Sequence, residues 1–371
     1  MASGALHGLR EGGKVIADLG AAINLSSVMS EPSAQPLVGE QRPLAIEVVR
    51  GDMVESRHAV AFAAVDASGR RVAWAGEVEA PVYARSAVKG LQALPLIETG
   101  AAERWGLGDA ELALACASHN GEQRHVSTVL RWLERMDLSA ADLECGSHMP
   151  YHEPSAAAVI RSGERPTAAH NNCSGKHAGF LSAARHKGEP TQGYIRADHP
   201  VQRRVTRALE EMCGIDLARA PVGIDGCGIP TIGIPLEKLA LGMARLADPA
   251  KLPDERRAAA ERIRRAVAAQ PFMVAGSGGF CTEVMEQLGA RAFVKTGAEG
   301  VFCAALPERG IGIALKAADG ASRASEAAIA HLLDRFGALD KADRTALARR
   351  LHPSIFNRAG LAVGAIRVQA V

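Results

Sequence analysis

The chain is poor in aromatic residues and in lysine, and it has no long apolar run. Only 4% of its 371 residues are aromatic, and nine are lysine although lysine and arginine together number 43. No apolar stretch reaches the roughly 20 residues of a membrane-spanning helix, so we expect no membrane segment. Because 43 basic residues face 41 acidic ones, neither nucleic acid nor an anionic membrane is expected as a partner.

The cysteine content does not suggest a disulfide framework. Seven cysteines, an odd number, are spread over a long chain, which favours reduced thiols. The N-terminus shows no clear hydrophobic core of a signal peptide. We therefore expect a cytoplasmic protein in which some thiols are free to bind a metal.

The composition and periodicity of the sequence predict two regions. Residues 1–42 are rich in Gly, Ser and Pro and have little periodicity, which predicts a flexible N-terminal extension. Residues 43–371 form the predicted catalytic domain. Strands are expected at 44–49, 59–65, 72–75, 292–297, 300–306 and 310–316, and helices from 86 and at 125–136, 175–185, 200–213, 253–269 and 325–336. The segment 110–116 suits a strand or a helix. Strands near both ends with helices between them predict an α+β fold, an antiparallel sheet flanked by helices.

Three short motifs follow one another in the order found in serine enzymes that open amides. They are Ser86-Ala-Val-Lys89, Ser118-His-Asn120 and Lys295-Thr-Gly297, which match S-x-x-K, S-x-N and K-T-G. Each motif alone is weak evidence, because a capped helix, a polar turn or a surface hairpin has the same letters. The signal is in the ordered set.

The chemistry of these motifs rests on serine–lysine pairs. On a helix, Ser86 and Lys89 would lie on one face within reach of each other. A lysine deprotonated by burial and by a second cation, with Arg85 and Lys295 as candidates, can take the serine proton. Ser118 can relay a proton and Asn120 can hold a substrate amide or carboxylate. Lys295 would bind a substrate carboxylate or pair with Ser118.

A second group of residues suits a metal. Cys173 and Lys176 stand at C-x-x-K spacing, and Cys227 follows 54 positions after Cys173. Two thiolates and one nitrogen suit Zn²⁺ and leave a fourth tetrahedral position open. By spacing alone, His177 or His170 is a better third ligand than lysine. Cysteines that are simply buried, without a metal, are more common than a metal site.

Six stretches of the chain together resemble one known family. The sequence is similar to the asparaginase II family, the rhizobial-type L-asparaginases, from about residue 44 to near the C-terminus. The matching stretches are Val49-Arg-Gly-Asp-Met-Val-Glu55, Ala84-Arg-Ser-Ala-Val-Lys89, Cys116-Ala-Ser-His-Asn120, Asn172-Cys-Ser-Gly-Lys-His177, Asp225-Gly-Cys-Gly-Ile-Pro230 and Met273-Val-Ala-Gly276. The extension before residue 43 has no counterpart in that family.

The resemblance implies a fold, an activity and a set of site residues. It implies a serine β-lactamase/glutaminase-like fold, a homodimer, and hydrolysis of L-asparagine to L-aspartate and ammonia. It implies two serine–lysine couples, Ser86 with Lys89 and Ser118 with Lys295. It also implies zinc that aids substrate binding, held by Cys173, Lys176, Cys227 and a water. Arg85, His177 and Asp225 fall where the family surrounds its substrate, and the Thr296 hydroxyl is an added candidate contact.

The main hypothesis is an L-asparaginase in which Ser86 attacks and Lys89 carries the proton. One alternative keeps the chemistry with another substrate, as in a glutaminase, a β-lactamase or a D-Ala peptidase. A second is a zinc-dependent amino-acid-binding protein without turnover, which would need the cysteines but not Ser86. A structural α+β domain would leave the motif set unexplained.

Overall fold

The computed structural model describes residues 39–369. The predicted N-terminal extension over 1–42 lies almost entirely outside the described residues, so its boundary stays a prediction. In the described part, no helix combines the length and the apolar character needed to cross a bilayer.

An antiparallel sheet of eight strands forms the centre of the described fold. Its strands are β1 (Leu44–Arg50), β2 (Met53–Asp66), β3 (Arg71–Ala75), β7 (Phe293–Thr296), β8 (Val301–Leu306), β9 (Ile311–Ala317), β10 (Ser354–Phe356) and β11 (Ala362–Gln369). The order is β10-β11-β1-β2-β9-β8-β7, and β3 pairs with β2 beside this path. A small second sheet, ordered β4-β6-β5, consists of β4 (Pro81–Tyr83), β5 (Val222–Ile224) and β6 (Pro230–Pro235). Strand β7 is therefore an edge of the large sheet.

Most of the helices, α1 to α12, come between strands β3 and β7 in the sequence. The helices are α1 (Lys89–Gln92), α2 (Leu94–Glu98), α3 (Ala101–Arg104), α4 (Asp109–Ala115), α5 (Gln123–Glu134), α6 (Glu153–Ser162), α7 (Ser174–Lys187), α8 (Pro200–Cys213), α9 (Leu236–Ala247), α10 (Asp254–Ala269), α11 (Pro271–Ala275), α12 (Phe280–Leu288), α13 (Ser322–Arg335), α14 (Lys341–Ala346) and α15 (Ala348–Leu351). The predicted α+β class, an antiparallel sheet flanked by helices, is confirmed.

The central strands are covered on both faces. Every residue of β8 is buried, as is every residue of β9 except Lys316, which is the pattern of a sheet enclosed by helices. Helices α9 and α13 pack on these strands. A Cβ on Gly312 would lie 2.1 Å from the Ala240 carbonyl oxygen, so only glycine lets α9 lie this close to β9.

The predicted elements are confirmed at most positions, with one instructive difference. The helix expected from residue 86 is a 3₁₀ turn, Arg85–Val88, followed by α1 and α2 with a break at Ala93. Pro95 stands in the first turn of α2; it has no N–H and disfavours helical geometry in the residue before it. The ambiguous segment 110–116 is helical, as part of α4. The strands of the small sheet were not predicted, nor were β10 and β11, which extend the large sheet beyond β1.

Asp343 ties the C-terminal helices to the rest of the domain. Its side chain is 1% exposed and accepts hydrogen bonds from Arg291, Gln287 and the Asp340 backbone. We expect Asp343→Ala to lower the free energy of unfolding by about 2–3 kcal/mol, because it leaves a half-buried guanidinium without its partner. Urea unfolding measures this.

A matched control separates this effect from a surface ion pair. Arg344 pairs with Asp334 and is 49% exposed, so Arg344→Ala should cost less than about 1 kcal/mol. Equal costs for the two variants would contradict the structural role given to Asp343.

Candidate active site

The Ser118 hydroxyl lies between the amino groups of two buried lysines. Its oxygen is 3.0 Å from the Nζ of Lys89 and 2.9 Å from the Nζ of Lys295, and each lysine is only 1% exposed. Ser118 comes three positions after the end of α4, and its backbone N–H donates to the Val274 carbonyl at 2.9 Å. The structure thus brings the second and third motifs together and adds the lysine of the first.

Burial changes the proton affinity of Lys295. Loss of solvation lowers the pKa of Lys295, and the nearby positive charge of Lys89 lowers that pKa further, to about 7. A lysine that titrates near neutrality is partly deprotonated at physiological pH and can accept a proton. Lys89 has other partners as well: its Nζ donates to the Ala117 carbonyl and lies 3.1 Å from the Cys173 sulfur.

The Lys-Thr-Gly motif lies at the end of edge strand β7. The Lys295 Nζ also donates to the Thr296 carbonyl at 2.8 Å, and Thr296 is half-buried. A Cβ on Gly297 would lie 3.1 Å from both the Ala84 oxygen and the Ala87 nitrogen. Glycine therefore lets the strand end pass close to the turn that carries Ser86.

Ser86 is near this group but is not joined to it by a hydrogen bond. Lys89 is the first residue of α1, and its side chain reaches Ser118 instead of the Ser86 hydroxyl. Among residues 39–369 the Ser86 hydroxyl makes no hydrogen bond, and the side chain is half-buried. The contact expected from the S-x-x-K spacing is thus replaced by one between Lys89 and Ser118.

Arg85 and Asp225 form an ion pair beside the Ser86 turn. The guanidinium is 3.0 Å from the Asp225 carboxylate. Burial by itself would raise the pKa of Asp225, but the hydrogen bond from Arg85 and the charge of Lys176 outweigh it, and the pKa is lowered. Arg85 has a φ of +49°, a strained conformation for a non-glycine residue that is often found at functional sites. The pair joins the Ser86 turn to the loop that carries Cys227.

The three predicted metal ligands also lie together. Cys173 is the N-cap residue of α7, and the Cys227 side chain lies close enough to change the pKa of its thiol. The Lys176 Nζ is 3.1 Å from the Cys227 sulfur. The interaction with Cys227 and the charges of Lys89 and Lys176 hold the pKa of Cys173 well below its usual range. Burial alone would lower the pKa of Lys176, but the two sulfurs raise it.

The histidines considered as third ligands have other partners. His177 Nδ1 lies 2.8 Å from the Tyr194 hydroxyl, and His170 Nδ1 accepts from the Thr167 backbone at 3.1 Å. Among the described residues, no group of three His, Cys, Asp or Glu side chains is placed to hold a metal. Of the nitrogens considered, the structure places that of Lys176 beside the cysteines.

Asn120 binds a neighbouring loop at residues 276–279, of which the sequence analysis included only Gly276 and assigned it no role. Its amide donates to the Ser277 carbonyl at 3.5 Å, and Glu122 accepts from both the Ser277 backbone and hydroxyl at 2.7 and 3.0 Å. Gly276, with a φ of +87°, lies against the Asn120 side chain. The run of glycines at 276, 278 and 279 was the available signal for this loop.

Comparison with solved structures gives matches of low sequence identity and low TM-score. A candidate β-lactamase from Bacteroides dorei is 14% identical over 75% of this chain and 85% of its own, with a TM-score of 0.38. A β-lactamase from Mycobacterium bovis is 15% identical over 78% and 94%, with a TM-score of 0.34. A simvastatin synthase mutant from Aspergillus terreus is 14% identical over 69% and 86%, with a TM-score of 0.35. No curated protein with a matching sequence was found.

The sequence itself carries the assignment. A sequence model described as L-asparaginase II matches residues 46–368. That span includes both serines, all the lysines and cysteines discussed above, and nearly the whole large sheet. The chain belongs to the L-asparaginase II family.

Proposed function

We propose that this protein hydrolyses L-asparagine to L-aspartate and ammonia through a serine acyl-enzyme. The observation that carries the proposal is the Ser118 hydroxyl between Lys89 and Lys295, in a chain of this family. Serine is a weak nucleophile unless a neighbouring base takes its proton. The site supplies one lysine whose pKa is about 7 and a second amine that can donate to the oxygen.

In the proposed reaction, the Ser118 oxygen attacks the side-chain amide carbonyl while Lys295 takes the hydroxyl proton. The Lys89 amine donates a hydrogen bond to the serine oxygen while that oxygen loses its proton, and the negative charge then passes to the carbonyl oxygen of the tetrahedral intermediate. When the C–N bond breaks, Lys295 returns the proton to the leaving nitrogen, which departs as ammonia. A water molecule then gives a proton to Lys295 and attacks the ester carbonyl; the C–Oγ bond breaks, Lys295 returns the proton to the Ser118 oxygen, and L-aspartate leaves.

The hypothesis based on the S-x-x-K motif assigns the attack to Ser86 with Lys89 as base. That mechanism requires the Lys89 amine to move from Ser118 to Ser86. In it, Ser118 and Lys295 would share the protons of the first couple. Replacing each serine separately distinguishes the two assignments.

The proposed substrate contacts follow from the charges of an amino acid. Its α-carboxylate needs a donor such as Arg85, and its α-ammonium needs an acceptor such as Asp225. The Tyr194 hydroxyl accepts from the Glu144 N–H at 2.8 Å and is free to donate to His177 Nδ1. His177 Nε2 then carries the hydrogen; it is buried without a partner in the described residues, and we propose that it donates to substrate. Asn120 and Thr296 stay proposed contacts.

We also propose a zinc ion held by Cys173, Lys176 and Cys227. In a tetrahedral site with ordinary Zn–S and Zn–N bonds, sulfur and nitrogen ligands are about 3.6 Å apart. The 3.1 Å between the Lys176 nitrogen and the Cys227 sulfur is close to this, so a small outward shift would admit the ion. Bound zinc would supply positive charge that attracts the substrate, and Lys176 would have to bind as the neutral amine.

The zinc proposal predicts a loss of binding rather than of chemistry. We expect about one zinc per purified chain, and Cys227→Ser should remove it and raise KM for asparagine by roughly 10-fold, more than it lowers kcat. Cys213→Ser, at a buried cysteine that ends α8, is the control. If metal analysis finds no zinc in the wild-type protein and KM is unchanged in Cys227→Ser, the proposed zinc site is wrong.

Ammonia release tests the function. L-asparagine, L-glutamine, D-asparagine and the chromogenic β-lactam nitrocefin should be compared with the purified protein. Turnover of L-asparagine supports the proposal, whereas preference for glutamine or nitrocefin supports another amidohydrolase of the same fold. Asparagine binding without ammonia supports a binding protein. We also propose a cytoplasmic homodimer, which size-exclusion chromatography with light scattering and cell fractionation would test.

A further inference from the structure

A buried histidine joins two loops of the proposed site. His119 directly follows Ser118, and Ser174 directly follows Cys173. The His119 Nε2 is 2.9 Å from the Ser174 hydroxyl oxygen, and both residues are 0% exposed. This hydrogen bond connects the loop that carries the proposed nucleophile to the loop that carries a proposed metal ligand.

The partners of His119 determine the direction of each hydrogen bond. The Gly121 backbone N–H donates to Nδ1 at 3.1 Å, so Nδ1 accepts and Nε2 carries the hydrogen. Burial, with the charges of His125 and Lys89 adding to it, lowers the pKa of His119 well below its usual range, which keeps the ring neutral. Nε2 therefore donates to Ser174, whose own hydroxyl donates to the Ala169 carbonyl at 3.0 Å.

Lys89 connects the same two segments through Ser118 and Cys173, the residues that directly precede His119 and Ser174. Its Nζ contacts the Ser118 oxygen at 3.0 Å and the Cys173 sulfur at 3.1 Å. The His119 backbone N–H adds a bond to the Asn172 carbonyl at 3.2 Å. Because Lys89 can hold both contacts only while the loops keep their spacing, the His119–Ser174 bond acts directly on the geometry around the lysine.

Aromatic stacking fixes the His119 ring against a third segment. The His125 ring is stacked on His119 at 4.8 Å, and Phe272 is stacked on His125 at 4.7 Å. Phe272 belongs to α11, which also contains Val274, the acceptor of the Ser118 N–H. The ring is thus held on its face by the stack and at both nitrogens by hydrogen bonds.

We infer that His119 is a positioning residue, which holds Ser118 and Cys173 at the spacing where Lys89 contacts both. It touches neither lysine nor any proposed substrate contact through its side-chain bonds. The kinetic part of its test rests on the proposed function, since it needs turnover of L-asparagine.

Two amide substitutions separate the two nitrogens of the ring. The glutamine in His119→Gln can place an N–H where Nε2 stands and keep the bond to Ser174. The shorter asparagine in His119→Asn can accept from Gly121 but cannot reach Ser174. We expect His119→Asn and Ser174→Ala each to lower kcat about 10- to 100-fold with KM changed less than about threefold, and His119→Gln to stay within about fivefold of wild type.

The double variant tests whether the two residues act as one unit. His119→Asn with Ser174→Ala should have nearly the kcat of either single variant, because the second change removes a bond already lost. Losses that multiply would overturn the inference, as would a His119→Gln enzyme no better than His119→Asn. A merely structural residue would not show rescue by the longer amide together with this non-additivity.

Thiol labelling gives a readout that needs no turnover. Alkylation of the purified protein with iodoacetamide, followed by peptide mass spectrometry, measures access to Cys173. His119→Asn and Ser174→Ala should raise the Cys173 rate about 10-fold or more, with Cys213 and Cys303 in the core as internal references. If wild type releases no ammonia but Cys173 labelling still follows this pattern, the proposed function fails and His119 keeps its role. Unchanged labelling in both variants overturns that role.

Discussion

We expect Ser118→Ala to lower kcat for L-asparagine by roughly 10³-fold or more, because it removes the hydroxyl that both lysines contact. Substrate binding should persist, since Arg85 and Asp225 do not depend on that oxygen. Ammonia release and equilibrium binding of asparagine measure the two effects separately. Ser354→Ala, at an exposed position of edge strand β10, is the control and should leave kcat unchanged.

The same assay with Ser86→Ala compares the two serines. The motif spacing predicts a similar loss, about 10³-fold, for Ser86→Ala if Ser86 is the nucleophile. Acid quenching during turnover traps the acyl-enzyme ester. Mass spectrometry of the peptides that contain Ser86 and Ser118 then identifies the serine that is acylated. An acyl group on Ser86, with near-normal kcat in Ser118→Ala, would refute the assignment to Ser118.

We expect Lys295→Met to cost about as much as the loss of Ser118, because the pair acts as a unit. The double variant Ser118→Ala with Lys295→Met should therefore be no slower than either single variant. Lys251→Met, at an exposed lysine before α10, is the matched control. Losses that multiply in the double variant would show that the two side chains work independently.

The pH profile reports on the same lysine. Its pKa is lowered to about 7 by burial and by the charge of Lys89, and only the neutral amine can accept the serine proton. Below this pH the lysine is protonated, so kcat/KM should rise with pH with an acidic-limb midpoint near 7. Interacting lysines titrate as a group, and the midpoint belongs to the site rather than to one residue. A flat profile between pH 5.5 and 8.5 would contradict a lysine base.

Much of the fold was predictable because its signals are local. The strands 292–297, 300–306 and 310–316 are apolar runs separated by glycine turns, and the structure confirms them as β7, β8 and β9. The small sheet was missed because strands as short as Val222–Ile224 carry almost no pattern. The pairing of β11 with β1 joins residues more than 300 positions apart, for which a single sequence contains no local signal.

The sequence by itself determined which residue types meet in the site. The ordered motifs identified Ser118, Lys89 and Lys295, and the family resemblance added Lys176 to the pair Cys173 and Cys227. The structure brings these side chains together in two touching groups. These residues can be found in the sequence because catalysis and metal binding need particular functional groups, and the sequence shows which residues carry them.

Only the tertiary structure decided which lysine contacts which serine. Lys89 follows Ser86 by three positions, a spacing that predicts contact between the two side chains on a helix. In the structure the Lys89 amine is hydrogen-bonded to Ser118 instead. The long lysine side chain then extends to the end of α4 and the N-terminus of α7, where it contacts Ser118 and Cys173. These partners are 29 and 84 positions away in sequence, and the packing of α4 on α7 brings them there. Such packing depends on the volumes and contacts of the whole core, so no spacing rule within one motif could have predicted it.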